Sequence, residues 1–174
     1  MDYSKFFENM MGMSDAAWQR HANPWSVWTR FATLPFLALA IWSRAWLDIW
    51  SLLPIGVLIV WIFVNPRFFN KPASTHHWSS KATFGERVWI NRKNIPIPAH
   101  HVRAPHVLSF FTGLGLIPLV YGLVYFDVVM TTIGVIWVMA FKLWFLDRMV
   151  WLYQDMIAKH EDYRTWLYPK TPLK

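Results

Sequence analysis

Residues 107–126 read VLSFFTGLGLIPLVYGLVYF, twenty consecutive positions without a charged side chain. At the rise of 1.5 Å per residue of an α-helix, such a segment is about 30 Å long, which matches the hydrocarbon core of a bilayer. A helix is suited to this environment because it satisfies its backbone hydrogen bonds internally. The stretch therefore predicts a transmembrane helix.

Three other apolar stretches have nearly the length that a bilayer requires, at residues 25–43, 46–64 and 128–147. Very short polar turns separate the members of each pair, around Arg44 in the first pair and at Asp127 in the second. The sequence therefore predicts an all-α, polytopic membrane protein. Its four transmembrane helices are expected to form two hairpins.

Polar segments surround these spans. The transmembrane domain covers residues 23–160 and is interrupted by a central loop at 65–106. A leader at 1–22 precedes it, and a tail at 161–174 follows it. The leader lacks the basic start, apolar centre and cleavage site of a signal peptide. Basic residues concentrate in the loop and after the fourth span, whereas Arg44 is the one basic residue in the short turns. By the positive-inside rule we expect a multi-pass protein of the cytoplasmic (inner) membrane, with the loop and both termini in the cytoplasm.

The composition agrees with a membrane location. Of 174 residues, 13 are tryptophan, and only 16% are charged, against about 25% in an average soluble domain. The net charge of +7 comes from basic residues that flank apolar runs and form no single basic face, so no nucleic-acid partner is expected. The chain has no cysteine, which excludes disulfides, thiolate catalysis and cysteine-ligated metal centres.

The two predicted hairpins share short sequence features. Leu34-Pro35 corresponds to Ile117-Pro118, and Arg67 corresponds to Arg148 at a similar offset. These matches suggest a parallel internal repeat, with chance similarity between apolar segments as the alternative. The fourth helix is expected to continue into the cytoplasm for a total of about thirty residues, because no proline interrupts it before Pro169.

The central loop contains a pattern typical of a helix start. Thr83 and Glu86 fit a capping box, which predicts a short helix over about residues 84–92. This helix is expected to lie at the membrane interface, with Phe84 and Val88 (together with Trp89) directed at lipid and Arg87 directed outward.

The first span is preceded by HANPWSVWTR at residues 21–30. Asn23 is expected to cap the first helix, with a proline in its first turn. Trp25 and Trp28 would share a face at headgroup depth, and Arg30 is expected roughly 3–8 Å further in. Asp48 and Asp127 are expected to cap the second and fourth helices.

Charged residues near the cytoplasmic ends of the spans form a candidate cluster of Arg30, Glu86, Asp147 and Arg148. A buried charge is costly without a partner, so these groups are expected to pair and fix the helix packing. The alternative is a site for an anionic ligand or lipid headgroup. Lys142 lies inside the fourth span, and its long side chain is expected to reach the headgroups; a functional role is the alternative.

Five histidines of the central loop are candidate metal ligands: His76, His77, His100, His101 and His106. Membrane di-iron enzymes place histidines on this side, but they use several HxxxH-type boxes, and no HxxxH spacing occurs here. Ordinary loop and interface histidines are the simpler interpretation. No histidine lies inside a span, which argues against a haem held between helices, and no cofactor is predicted.

Several segments resemble one family of small bacterial and archaeal membrane proteins, classed only as a domain of unknown function. The similar segments are HANPWSVWTRF, ATLPFLALAIWSR, SKATFGERVWINR (with its GERVW core), IPIPAHHVR and KLWFLDRMVWLYQDM. They span about residues 14–156, and residues 1–13 are expected to lie outside the resemblance. The resemblance implies a compact multi-span membrane protein and assigns no activity.

The spans contain no evident catalytic group, and the usual hydrolase and nucleotide-binding motifs are missing. The sequence therefore favours a non-catalytic structural or accessory subunit that organises a membrane assembly or its lipids. Its expected partners are the bilayer, anionic headgroups, and further copies of the chain or a larger complex. The alternatives are a metal-dependent membrane enzyme that uses the loop histidines, and a small dimeric transporter.

Overall fold

The computed structural model describes residues 14–169, which fold into helices and contain no strand. Residues 1–13 of the predicted leader and 170–174 of the predicted tail lie outside the described part. The α-helices are α1 Asp15–His21, α2 Pro24–Trp42, α3 Arg44–Leu47, α4 Leu52–Phe68, α5 Trp78–Ile90, α6 Arg103–Leu114, α7 Leu116–Tyr125, α8 Val128–Lys159 and α9 Glu161–Arg164. Short 3-10 turns occupy Asp48–Ser51, Asn91–Lys93 and Ala99–His101.

Three helical stretches of the described residues are long and apolar enough to cross a membrane: Pro24–Phe68, Ala99–Tyr125 and Val128–Lys159. Many of their large apolar side chains are exposed, such as Trp50 at 72% and Ile117 at 67%. Apolar surface on this scale is costly in water and is expected where lipid is the solvent. The all-α class is confirmed, and the helices are compatible with a membrane protein.

Helix α8 is the longest element, and α5, α6 and α7 all pack against it. Asp127 caps its N-terminus by accepting a hydrogen bond from the Met130 amide at 2.9 Å, as predicted. The helix has 32 residues, which confirms the expected length of about thirty. Gly122 lies against Thr131, and Leu119 lies against Gly134. These contacts show that α7 and α8 run side by side in opposite directions.

The start of α2 contacts the end of α4. The Ser26 hydroxyl donates to Asn65 Oδ1 at 2.7 Å, and Asn65 Nδ2 donates to Thr29 Oγ1 at 2.8 Å. Asn23 accepts from the Trp25 amide at 2.9 Å, which confirms its role as the cap of α2. The capping prediction for Asp48 is wrong, because this residue adopts a left-handed φ of 49° in the bend before α4, where its side chain makes no capping bond.

The bend after α2 and the turn before α8 contact each other. The Arg44 guanidinium donates to the carbonyls of Leu123 and Val124. The central carbon of this guanidinium, Cζ, lies 4.3 Å from the centre of the Phe126 ring. Trp42 Nε1 donates to Thr131 Oγ1 at 3.1 Å. Both turns are therefore at the same end of the molecule.

Helix α5 differs from the predicted interfacial helix. It begins at Trp78, so Thr83 lies inside the helix and donates to the Ser79 carbonyl at 3.2 Å instead of capping. Phe84 and Val88 are fully buried against α8 and do not face lipid. The prediction was wrong because the C-terminal half of α8 offers an apolar face that α5 covers. A glycine at position 85 permits this contact, since a Cβ there would collide with the Met149 carbonyl.

A small apolar core surrounds the C-terminal half of α8. Tyr153 is buried there and donates a hydrogen bond to the Tyr163 carbonyl at 2.8 Å, and the Trp166 ring stacks on it. The backbone amide of Thr75 donates to the Tyr168 carbonyl at 2.8 Å. The described part of the predicted tail is thus folded onto the central segment.

Candidate functional site

A cavity of about 260 Å³ lies between α2, α5 and α8. One group of lining residues is polar: Arg30, Thr83, Glu86 and Lys142. The other lining residues are apolar: Val27, Phe31, Leu34, Val138, Met139 and Leu146. This arrangement offers charged groups and an apolar wall to the same occupant.

Arg30 is held in place by residues close to it in sequence. It lies two turns after the start of α2, and its Nε donates to the Ser26 carbonyl at 3.2 Å. Its Nη1 also contacts Nε2 of His21, the last residue of α1. A guanidinium has donors only, so His21 Nε2 must accept this bond and the neutral ring must carry its proton on Nδ1.

His21 holds a buried hydrogen-bond donor on the side of its ring opposite to Arg30. His21 is only 4% exposed, and its Nδ1 has no hydrogen-bond partner among residues 14–169. Burial lowers the pKa of His21 well below its ordinary value, and the positive charges of Arg30 and Lys142 lower it further. The ring is therefore neutral, and its free N–H is available to an acceptor such as water or an anion.

Glu86 of α5 pairs with Lys142 of α8. The Lys142 ammonium donates to Glu86 Oε1 at 2.7 Å and lies 4.5 Å from the centre of the Phe145 ring. The sequence did not assign this partner to Lys142. Among the charged groups that line the cavity, two are positive and one is negative, so the site carries one surplus positive charge.

The predicted four-residue charge cluster is only partly assembled. Arg30 and Glu86 line the same cavity, whereas Asp147 and Arg148 are not among its lining residues and pair with each other at 2.7 Å. The period of α8 explains this division. Lys142 and Leu146 are four apart and share the cavity face, and the following two residues are rotated away from it.

The two predicted interface tryptophans project from the start of α2. Trp25 and Trp28 are exposed by 70% and 46%, and the Trp28 ring stacks on Trp78 with centres 6.1 Å apart. Asn23 Nδ2 donates to the Asn70 carbonyl at 2.9 Å, which joins this region to the end of α4. These residues pack around the N-terminal end of α2 and lie outside the cavity lining.

The structure brings two of the five candidate histidines together. His100 and His101 both contact Oδ2 of Asp155, at 3.1 and 2.8 Å from their Nε2 atoms. His76 instead contacts the carbonyl of Pro169 at 3.0 Å, and the His106 ring packs against Trp89. His77, at the N-terminus of α5, is exposed.

Asp155 was not identified as a site residue from the sequence. It is more than fifty positions away from these histidines and matches no known ligand spacing. The only available signal was its place on the long extension of α8, which was expected to face the same compartment as the loop.

A family model described as a family of unknown function (DUF6653) matches residues 4–167. The expectation that residues 1–13 lie outside the family is wrong for most of that segment, because the match begins at residue 4. No match was found among curated proteins or among solved structures.

Proposed function

Because the chain belongs to this family of unknown function, its role must be inferred from its own residues, and we propose a non-catalytic accessory protein of the cytoplasmic membrane. In this proposal the chain crosses the membrane four times. It binds an anionic amphiphile, a phospholipid or fatty acid, in the cavity between α2, α5 and α8. The proposal deepens the expected role in organising a membrane assembly or its lipids.

The four crossings are supported by the ends of the helices. Pro24–Phe68 is a continuous helical stretch of 45 residues, about twice the length that one crossing needs. Within it, Ser26 contacts Asn65, so the chain returns to the level at which it started. Arg44 at the bend reaches the end of α7, so the two turns share the opposite side. We infer two hairpins, with the loop and both termini in the cytoplasm, where the basic residues concentrate.

The observation that carries the binding proposal is the surplus positive charge of a cavity whose remaining lining is apolar. Two cations, Arg30 and Lys142, line the cavity with one anion, Glu86, and Arg30 is held in place by its contacts with Ser26 and His21. An anionic group would neutralise the surplus charge and accept hydrogen bonds there. The apolar wall formed by Phe31, Leu34 and neighbouring residues would then contact hydrocarbon.

The size of the cavity favours a headgroup over a whole lipid. At about 260 Å³ it is slightly smaller than typical sites for drug-sized ligands, which are roughly 300–1,000 Å³. It therefore accommodates a carboxylate or phosphate group with the first carbons of its chain. The remaining chain would lie along the exposed apolar helix faces, in continuity with the bilayer.

The other two hypotheses receive less support. The small dimeric transporter needs ionisable groups along a path, whereas the charged lining residues Arg30, Glu86 and Lys142 are grouped at the cytoplasmic ends of the proposed spans. The metal-dependent enzyme of the di-iron type needs several histidine boxes, whereas among the described residues only two of the five candidate histidines, His100 and His101, lie together. An internal repeat stays a prediction: Gly115 interrupts the helix before Pro118, whereas α2 continues through Pro35.

Bound lipid can be measured on the full chain, purified in a mild detergent and examined by native mass spectrometry. We expect an anionic lipid or fatty acid to remain bound to the natural protein. Arg30→Gln and Lys142→Gln should each reduce its occupancy at least fivefold, because each removes a charge-assisted hydrogen bond worth roughly 1.5–3 kcal/mol. Adding the double variant tests whether the two cations act on one ligand.

The matched control is Arg148→Gln, which removes a cation from α8 outside the cavity lining. This variant should retain the lipid. Equal lipid content in the control and in both cavity variants would reject the binding proposal. Loss of lipid from all three would assign the binding to general surface charge and would reject it as well.

A further inference from the structure

His100, His101 and Asp155 form a second cluster, separate from the cavity. The two histidines end the extended connector between α5 and α6, on the 3-10 turn Ala99–His101. Asp155 lies on the cytoplasmic extension of α8. One ligand atom from each residue lies within 4.8 Å of the other two. The cluster therefore joins two segments that are far apart in sequence.

The spacing of these atoms is close to that of a metal site. In a tetrahedral zinc site with bonds of about 2.0–2.1 Å, neighbouring ligand atoms are about 3.3 Å apart. Here the Asp155 oxygen is 3.1 Å from His100 Nε2 and 2.8 Å from His101 Nε2. Moving these ligand atoms apart by a few tenths of an ångström would be enough to admit an ion between them.

The ligand types agree with this geometry. Imidazole nitrogen suits zinc and other late divalent metals, and a carboxylate adds the negative charge that a cation requires. The two imidazole rings lie with centres 4.2 Å apart and present Nε2 to the same carboxylate oxygen. Adjacent histidines in an extended strand would point to opposite sides, so the 3-10 turn is what aligns them.

We propose that His100, His101 and Asp155 bind one divalent transition-metal ion of the zinc type, with His Nε2 and a carboxylate oxygen as ligands. Three protein ligands leave a fourth position for water or another small ligand. The metal would fasten the connector before α6 to the extension of α8. This site is independent of the lipid cavity, so the failure of either proposal leaves the other intact.

The competing explanation is a hydrogen-bonded group in which both imidazoles donate to Asp155 without a metal. The two explanations predict different effects when the carboxylate of Asp155 is replaced by an amide. An asparagine at position 155 still accepts hydrogen bonds from the imidazoles, but it lacks the charge that makes a carboxylate a good metal ligand. Asp155→Asn is therefore the informative variant, because it preserves the contacts that hold the fold.

The experiment uses the full chain in detergent, stripped of metal with a chelator and titrated with Zn²⁺ by calorimetry, with bound metal measured by elemental analysis. We expect one ion per chain. Replacing a residue that only orients a metal ligand costs roughly 10- to 100-fold in affinity, so Asp155→Asn and His101→Ala should weaken binding at least tenfold. Co²⁺ should bind at the same site and give the intense visible absorption of a four-coordinate ion.

His77→Ala is the control, because it removes an exposed histidine outside the cluster. It should bind Zn²⁺ like the natural protein. Thermal unfolding of each metal-free variant checks that the fold is retained. Failure of the natural chain to bind Zn²⁺ and Co²⁺ would overturn the proposal. So would unchanged affinity in folded Asp155→Asn, since the carboxylate would then not be a ligand.

Discussion

At the scale of single residues, neighbouring groups change the chemistry of His21. The sequence placed this histidine before the first span as part of a membrane-entry segment. The fold buries it and sets it against the Arg30 guanidinium. Burial alone disfavours the charged ring, and the neighbouring cations add to the effect. A residue of an entry segment thereby becomes a neutral hydrogen-bond acceptor for Arg30, which lines the candidate site.

A lowered pKa makes stability depend on pH in a definite direction. Below about pH 6.5 the unfolded chain protonates His21, whereas the folded chain keeps it neutral, so the unfolded state binds more protons. The free energy of unfolding should therefore fall as the pH decreases from 7 toward 5, by up to about 1.4 kcal/mol per pH unit from this residue. Thermal unfolding in detergent over this range measures the slope.

His21→Gln is the test variant, because its side-chain oxygen can still accept from Arg30 but does not titrate. We expect a shallower loss of stability on acidification, while His77→Gln, an exposed histidine, should keep the slope of the natural protein. An unchanged slope in His21→Gln would show that other groups govern the acid response.

At the scale of helices, close contact between α5 and α8 determines the packing around the C-terminal half of α8. The capping pattern at Thr83 predicted a helix in the correct region, but the observed helix begins six residues earlier, at Trp78. Local sequence gave no indication that Phe84 and Val88 face a protein surface rather than lipid, because both environments select apolar side chains. The contact with α8 decides between them.

Gly85→Ala tests this contact. A Cβ at position 85 would overlap the Met149 backbone, so α5 must shift away from α8, and overpacking of this kind typically costs about 1–3 kcal/mol. We expect a lower melting temperature. Gly113→Ala is the matched control, since no atom lies within 4 Å of the added Cβ and alanine is favoured in a helix by about 1 kcal/mol. Equal melting temperatures for the two variants would contradict the packing argument.

At the scale of the whole molecule, the number of membrane crossings depends on whether Pro24–Phe68 turns back. The chain has no natural cysteine, so a single introduced cysteine is a unique labelling target. With a membrane-impermeant maleimide on intact cells, we expect labelling of Ile49→Cys and Val129→Cys, both exposed near the proposed outer turns. His77→Cys should be labelled only after the membrane is opened.

Other labelling patterns would contradict the topology. Labelling of His77→Cys in intact cells would invert the proposed orientation. Labelling of Val129→Cys without Ile49→Cys, under conditions in which both cysteines react after detergent is added, would place the bend at Asp48 on the inner side. The proposal of four crossings would then be wrong.

The sequence by itself determined the helical class, the long apolar helices and the caps at Asn23 and Asp127. These features depend on hydrophobicity and local hydrogen bonding, which are properties of neighbouring residues. Only the tertiary structure decided that Lys142 pairs with Glu86, that His21 contacts Arg30 from the end of the preceding helix, and that Asp155 joins His100 and His101. The physical reason is that these side chains meet through helix packing, in which the direction and rotation of each helix are set by the close fit of several helices at once.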